Sequence, residues 1–401
     1  MRIIMFAGKG GVGKTSIASA TGVKAAEAGH KTLIMSLDIA HSLSDVFALD
    51  KGLTDKNRGM PVKVGDRLWI QELDINEEIQ SNWGDVHRYI ASLFNTSGLD
   101  EILAEELAIL PGMEEVSSLL YINRYAQEGD FELIILDCAP TGESLRFISI
   151  PTTLEWYIRK IFKIERRVVS YIRPLARRFY EVPLPEDDYF RALKDLFVRL
   201  EGIDKILTDP AVTTVRLVTN PEKMVLKETQ RIFLYFSLYK MCVDAVVMNR
   251  ILPANLEEKY FDDWKESQKR YLKLAEEYFS PVPIFSVNLF KNEPLGAESL
   301  KKLGANIYGE HDPTQHFFTE KSYEFHHEDG QFLIRIRLPF LTKEEVELNR
   351  LPEEIVIRIG GFKRHILLPR YVATYKDVKA KIDGNHLNII FGGKKDGKQK
   401  T

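Results

Sequence analysis

The apolar run Ile3-Ile4-Met5-Phe6-Ala7 leads into GKGGVGKT, residues 8–15, and this stretch decides how the rest of the chain is read. A segment of helical character, residues 16–28, follows it. Strand, glycine-rich turn and helix are the context in which a G-x-x-x-x-G-K-[ST] spacing acquires meaning. Gly8, Gly10, Gly11 and Gly13, with Val12 among them, let backbone N–H groups curl around an anion without side-chain clash. The helix N-terminus adds partial positive charge. In this arrangement Lys14 reaches the β- and γ-phosphates of a nucleotide, Thr15 places its hydroxyl on Mg²⁺, and Ser16 completes the phosphate-binding set. A second lysine, Lys9, stands inside the loop although phosphate binding does not require it; a solvated loop lysine is the simpler reading.

A chain of 401 residues is long for one core, so two or three domains are expected. Apolar residues make up 44% and charged residues 28%, the balance of a soluble globular protein. The net charge of −3 gives no global sign of nucleic-acid binding. Cys138 and Cys242 lie far apart and form no C-x-x-C, which argues for a reducing compartment and against a disulfide framework or a cysteine zinc site. No leader segment is visible, and no apolar run approaches the roughly 18 residues of a membrane span. The expectation is a cytoplasmic protein without stable membrane insertion.

Apolar strand candidates at 3–7, 32–36, 68–73, 133–136, 214–219, 245–248 and 282–287 alternate with helical patterns. Runs buried on both faces and separated by helices predict a doubly wound, mostly parallel α/β sheet. In such sheets ligands bind at the carboxyl ends of the strands. Asp38 follows the strand at 32–36, where a carboxylate can orient the water that attacks a γ-phosphate, or can simply cap a helix. Asp137 follows four apolar residues, the Walker B pattern, and would hold Mg²⁺ directly or through water. Gly142 would let the backbone approach the γ-phosphate.

With the loop, SLDIAHSLSDVF (36–47) and LDCAPTGESLRFISIP (136–151) resemble the switch segments of the arsenite-pump and tail-anchored-protein-targeting ATPase family. ILTDPAVTTVRLVTNPEKMVLKETQRI (206–232) resembles the stretch before that family's adenine-binding loop, which would be 247–250. The resemblance covers roughly residues 1–305. It implies an ATP- and Mg²⁺-using P-loop NTPase that forms a nucleotide-sandwich homodimer. Lys9 would act across the dimer, Lys14 and Thr15 in the phosphate site, Asp38 on the water, Asp137 near the metal and Asn249 against the adenine. Ile39 stands where the family usually has proline, and Glu143 where targeting members often have histidine. The zinc-binding cysteine pair and the three-cysteine metalloid site are both absent, so arsenite export is not expected.

A helical insertion spans about residues 152–207. Leu154, Ile158, Ile161, Val168, Ile172, Leu175 and Phe179 form an apolar stripe opposite a basic face, with Pro174 as a break. The stripe is ordinary core, a wall of a groove for an apolar helix, or the buried face of a helix lying on a membrane. The resembled family uses this region to receive a hydrophobic client. Segments 77–94, 99–110 and 113–126 are further candidates for such a wall.

Beyond a linker at 309–319 the helical period gives way to alternation. Short strands with turns between them predict an all-β sandwich at 320–393, followed by a polar tail at 394–401. LLPRYVATYKDVKAKIDGNHLNIIF (367–391) resembles the end of the α-crystallin domain of small heat-shock proteins, with Ala380, Gly384, Leu387 and Ile389 on its signature. The reading as a whole is a Mg²⁺-dependent ATPase, residues 1–308, acting as a nucleotide-switched homodimer on a hydrophobic protein segment or other apolar client. The rivals are an ATP-timed scaffold whose sandwich docks a partner, and a surface-partitioning ATPase of the MinD/ParA type.

Overall fold

The computed structural model describes residues 1–38, 42–49, 57–78, 83–96, 100, 105, 107–108, 112–157, 187–256, 259–328, 331–369, 371–372, 375 and 377–392. The chain divides into two compact units, one of residues 1–207 with 290–315 and one of residues 208–289 with 316–401.

The first unit is built on strands β1 (Arg2–Ala7), β2 (Thr32–Ser36), β3 (Val62–Gly65), β4 (Leu68–Glu72) and β5 (Leu133–Asp137), in the order β3-β4-β2-β5-β1. β4, β2, β5 and β1 are parallel, and β3 is an antiparallel edge strand. Every residue of β1, β2 and β5 is buried, so these strands are sheltered on both faces, as their unbroken apolar character predicts. Among the helices are α1 (Lys14–Glu27), α2 (Ser42–Val46), α3 (Gly84–Thr96), α4 (Met113–Glu128), α5 (Thr141–Tyr157), α6 (Asp187–Arg199) and, from the later part of the chain, α10 (Gly296–Tyr308). α10 lies against α1: the Thr21 hydroxyl meets the Tyr308 hydroxyl at 2.9 Å. A Cβ on Gly304 would sit 2.7 Å from the Ala20 carbonyl oxygen, so only glycine permits this approach.

The second unit contains parallel strands β6 (Thr213–Thr219), β7 (Cys242–Ile251) and β8 (Ile284–Asn288), with helices α8 (Lys223–Leu238) and α9 (Asp262–Phe279); α7 (Ile203–Thr208) precedes β6. Arg216 of β6 and Asp244 of β7 form a fully buried ion pair at 3.3 Å, with the guanidinium 4.8 Å from the Phe317 ring centre. Two antiparallel sheets follow, β14-β15-β10-β9 and β11-β12-β13. They comprise β9 (Tyr323–Glu328), β10 (Gln331–Arg337), β11 (Val346–Leu351), β12 (Glu354–Ile359), β13 (Phe362–Leu367), β14 (Asp377–Asp383) and β15 (His386–Gly392). Phe332, Ile334 and Ile336 point inward from β10, and Leu387, Ile389 and Phe391 from β15, the alternation expected of a pleated sheet.

The expected fold class is the one observed, a mostly parallel α/β sheet with helices and an all-antiparallel β region. Two details differ from the sequence reading. Residues 247–250 were expected as a loop but continue β7, whose pairing with β8 shifts register between Met248 and Ile251. The apolar core of the sandwich is also not made by the sandwich alone: Leu234 and Leu238 of α8 are buried in it, with Tyr235 and Tyr239 packed alongside. The Tyr323 hydroxyl donates to the Leu238 carbonyl at 2.9 Å, and the Ser322 hydroxyl to the Met241 carbonyl at 2.7 Å. Most of the apolar stripe at 152–207, from Ile158 to Phe179, and the tail at 394–401 lie outside the described residues.

Leu238→Ala removes a side chain that is 2% exposed within this shared core. It is expected to cost about 2–5 kcal/mol in a urea titration; a loss below about 1 kcal/mol would show that α8 is not part of the core.

Candidate active site

Four strand ends of the first unit stand level. In the ladders Glu72 of β4 pairs with Ser36 of β2, Ser36 with Asp137 of β5, and Asp137 with Phe6 of β1. The pairing continues one step further: Leu37 N–H donates to the Asp137 carbonyl at 2.8 Å, and Cys138 N–H to the Phe6 carbonyl at 3.1 Å. The glycine-rich loop, the segment after β2 and the segment after β5 therefore leave the sheet side by side.

The loop turns on Gly11 and Gly13, whose φ of 79° and 95° lie where a side chain is strained. Gly13 sits at the N-terminus of α1, with Lys14 and Thr15 in the first turn and Ser16 after them. Lys14 is buried, and its ammonium donates to the Lys9 carbonyl at 3.3 Å, which holds it along the inside of the loop. The Lys9 side chain is exposed and has no hydrogen bond or ion pair among the described residues. Gly10 lies beside Pro140, where an added Cβ would be 3.8 Å from the proline ring. Gly142 is exposed with open space around it, so nothing among the described residues demands glycine there.

The Thr15 hydroxyl faces the Ser42 hydroxyl at 3.3 Å. Asp137 is buried, and neither carboxylate oxygen has a hydrogen-bond partner among the described residues. Burial pushes its pKa up to about 7; the Thr15 hydroxyl and Lys14 ammonium act against that rise, and the Asp38 carboxylate adds to it. Asp38 is tied to the end of β2 through Ser36, whose hydroxyl accepts from Asp38 N–H at 3.2 Å and donates to the Asp38 carbonyl at 3.1 Å. The structure thus gathers Lys14, Thr15, Asp38 and Asp137. Asn249 belongs to the second unit, where it is buried near the end of β7 and its Oδ1 accepts from Arg250 N–H at 2.9 Å.

An orphaned buried carboxylate beside hydroxyl oxygens suits a small hard cation that takes one or two carboxylates and completes its shell with phosphate and water. Among the described residues no group of three or more His, Cys, Asp or Glu side chains offers an all-protein metal cage. The donor set therefore fits Mg²⁺ arriving with a nucleotide. Two residues of the site went unassigned in the sequence reading. Ser42 lies in a segment quoted there, and Glu72 ends a recognised strand, but their places depend on strand order.

A family model described as anion-transporting ATPase, ArsA type, matches residues 1–309. The chain belongs to the ArsA ATPase family. A second model, an HSP20-like domain found in ArsA, matches residues 329–391. A putative arsenical pump-driving ATPase 1 of Aquifex aeolicus is 48% identical over 97% of this chain and 100% of its own. A putative arsenical pump-driving ATPase of Chlorobaculum tepidum is 36% identical over 99% of this chain and 97% of its own. An ATPase GET3 of Candida glabrata is 29% identical over 77% of this chain and 90% of its own. The protein is thus a nucleotide-hydrolysing ATPase with a small-heat-shock-like region. No helix among the described residues is long and apolar enough to cross a membrane.

The raised Asp137 pKa makes a signed prediction for metal-free protein. A folded-state value near 7 against 3.8 ordinarily means that the folded form binds more protons between those limits. Stability should therefore fall as pH rises from about 4 to about 7 and level off above. Asp137→Asn removes the penalty, so it should raise the unfolding free energy of the metal-free protein from urea titration at pH 8, by at most about 4 kcal/mol, and leave it nearly unchanged at pH 4. It should also abolish ATPase activity. Equal changes at both pH values would contradict the assignment.

Proposed function

We propose that this ATPase is Mg²⁺-dependent and works in the cytoplasm as a nucleotide-switched homodimer that binds a hydrophobic client. The observation that carries the dimer is the contrast between the two loop lysines. Lys14 is buried along the loop and serves the phosphates in cis, whereas the Lys9 side chain is exposed and has no partner among the described residues. A cation set free at the rim of a phosphate site is placed to reach a nucleotide held by a second copy. Arginine fingers supplied by a partner protein use the same logic.

Within one chain, the loop N–H groups and Lys14 would bind the β- and γ-phosphates. Thr15 and Asp137 would hold Mg²⁺, with Asp38 reaching it through water. When bound, Mg²⁺ would neutralise negative charge on the phosphates. Asp38 would orient the attacking water, and Asn249 of the second unit would contact the adenine. Ser36 anchors the start of one switch segment, and Pro140 brings the other beside Gly10. Loss of the γ-phosphate would thus be felt directly by both, the order–disorder logic of nucleotide switches.

The client reading draws on the first unit's helices. α3 and α6 meet through Tyr89 and Tyr189, with ring centres 4.8 Å apart. Phe190 and Leu196 of α6 are buried while Val198 of the same helix is largely exposed, so α6 carries apolar surface beyond what its own packing uses. Arsenical transport, which the printed names attach to two of the relatives, is not the reading favoured here. Cys138 and Cys242 are the chain's two cysteines, both are buried, and they cannot form a three-thiolate metalloid site.

Lys9→Ala separates the cis and trans roles. The variant should bind an ATP analogue within about twofold of wild type yet lose at least about a hundredfold in kcat, in the range of trans-acting cations. Light scattering should show ATP·Mg²⁺-dependent dimers for wild type and not for the variant. Unchanged turnover with monomeric wild type would sink the dimer.

A further inference from the structure

Glu72, at the end of β4, has a role that reaches the phosphate site without touching a phosphate. Its Oε1 accepts Leu43 N–H at 2.8 Å and Ser44 N–H at 3.1 Å, and its Oε2 accepts the buried Ser44 hydroxyl at 2.5 Å. Both amides belong to the first turn of α2, where N–H groups have no partner inside the helix. One carboxylate from a neighbouring strand thus does what a capping side chain usually does from within the segment. Ser42, the first residue of α2, sets its hydroxyl 3.3 Å from that of Thr15.

Apolar contacts also hold α2, since Leu43, Val46 and Phe47 are buried. Burial is non-directional, however, and fixes a five-residue helix poorly against rotation about its own axis. Three hydrogen bonds converging on one planar group fix that rotation, and with it the place of the Ser42 hydroxyl. Glu72 is also in register with Ser36 and, through it, with Asp137. The segment after β2 is therefore pinned at its start by Ser36, acting on the Asp38 backbone, and at its far end by Glu72.

We propose that Glu72 is a positioning residue for ATP hydrolysis: it clamps α2 so that the Ser42 hydroxyl stays beside Thr15 at the Mg²⁺ site. This rests on the metal reading of Thr15 and Asp137.

Full-length Glu72→Ala and Glu72→Gln test it. Glutamine keeps an oxygen for the two amides and can donate its NH₂ to the Ser44 hydroxyl, so it should preserve the clamp; alanine removes it. Glu72→Ala is expected to lower kcat by about tenfold or more, the usual scale for groups that orient metal ligands, while KM for ATP stays within about twofold. Glu72→Gln should recover most of that loss. Fluorescence of a bound ATP analogue should need about tenfold more Mg²⁺ to reach half its metal-induced change in Glu72→Ala, with metal-free binding unaltered. Because the clamp acts through Ser42, adding Glu72→Ala to Ser42→Ala should lower kcat by less than about twofold further. The proposal is overturned by Glu72→Ala turnover within twofold of wild type, by full additivity in the cycle, or by equal losses in Glu72→Gln and Glu72→Ala. If Glu72→Ala does not fold, Ser44→Ala removes the Oε2 contact alone, and unchanged kcat and Mg²⁺ response in that variant overturn the proposal. A wild-type protein whose nucleotide fluorescence ignores Mg²⁺ would defeat the metal reading instead, and the kcat–KM split and the cycle would still judge the clamp.

Discussion

The first unit depends on one costly arrangement, a carboxylate buried at the end of a fully buried strand with no hydrogen-bond partner among the described residues. Removing Asp137 from water is unfavourable, the Thr15 hydroxyl and the Lys14 ammonium offset only part of that cost, and the pKa climbs. Such a group is stable only where the surrounding packing over-determines it. Here the packing is the sheet itself: β1 and β2 flank β5 in register, and both neighbours are buried throughout. The cost is stored in the folded protein.

That storage explains why the other site residues are held by backbone and hydroxyl contacts more than by charge pairs. Lys14 donates to a loop carbonyl, not to Asp137, and so remains available to a phosphate. Thr15 meets the Ser42 hydroxyl. Ser36 fixes the backbone of Asp38. An ion pair between Lys14 and Asp137 would satisfy both groups and remove the reason for nucleotide and metal to enter. Directional contacts hold the geometry while the charges stay uncommitted.

How much of this was legible in the sequence follows from the same physics. Strand 32–36 was read to the residue, because its apolar run Leu33–Met35 is closed at each end by a small hydroxyl residue that the sheet buries with it. The strand read at 133–136 runs one residue further and takes in Asp137, a charged letter that the burial pattern disguises. The candidate at 245–248 proved to be Cys242–Ile251; the strand takes in the charged Asp244 because inside the fold it is matched by Arg216, a partner 28 positions away. β3, β9 and β11 were missed. β11 alternates half-buried and exposed positions, and β3 is a short edge strand, so neither presents an apolar run. The loop, Asp38 and Asp137 were visible because each follows an apolar strand directly. Ser42 and Glu72 were not, since their contacts join residues 27 to 29 apart through a strand order that no local pattern states.

The sandwich is less separate in its packing than a clean local pattern suggests. Its strands alternate so regularly that the sequence reads as a free-standing module behind a linker. Yet α8, which reads as an ordinary amphipathic helix between two sheet strands, gives Leu234 and Leu238 to the sandwich core. The thiol of Cys242, at the start of β7, donates to the Phe318 and Glu320 carbonyls on the approach to β9. A helix whose apolar residues are shared in this way cannot shift while the sandwich stays still, nor the sandwich detach without exposing the helix to water. Any movement that nucleotide turnover imposes on α8 is therefore a movement of the sandwich as well. That makes the C-terminal region a mechanical part of the second unit, where a tethered docking module would be free of it.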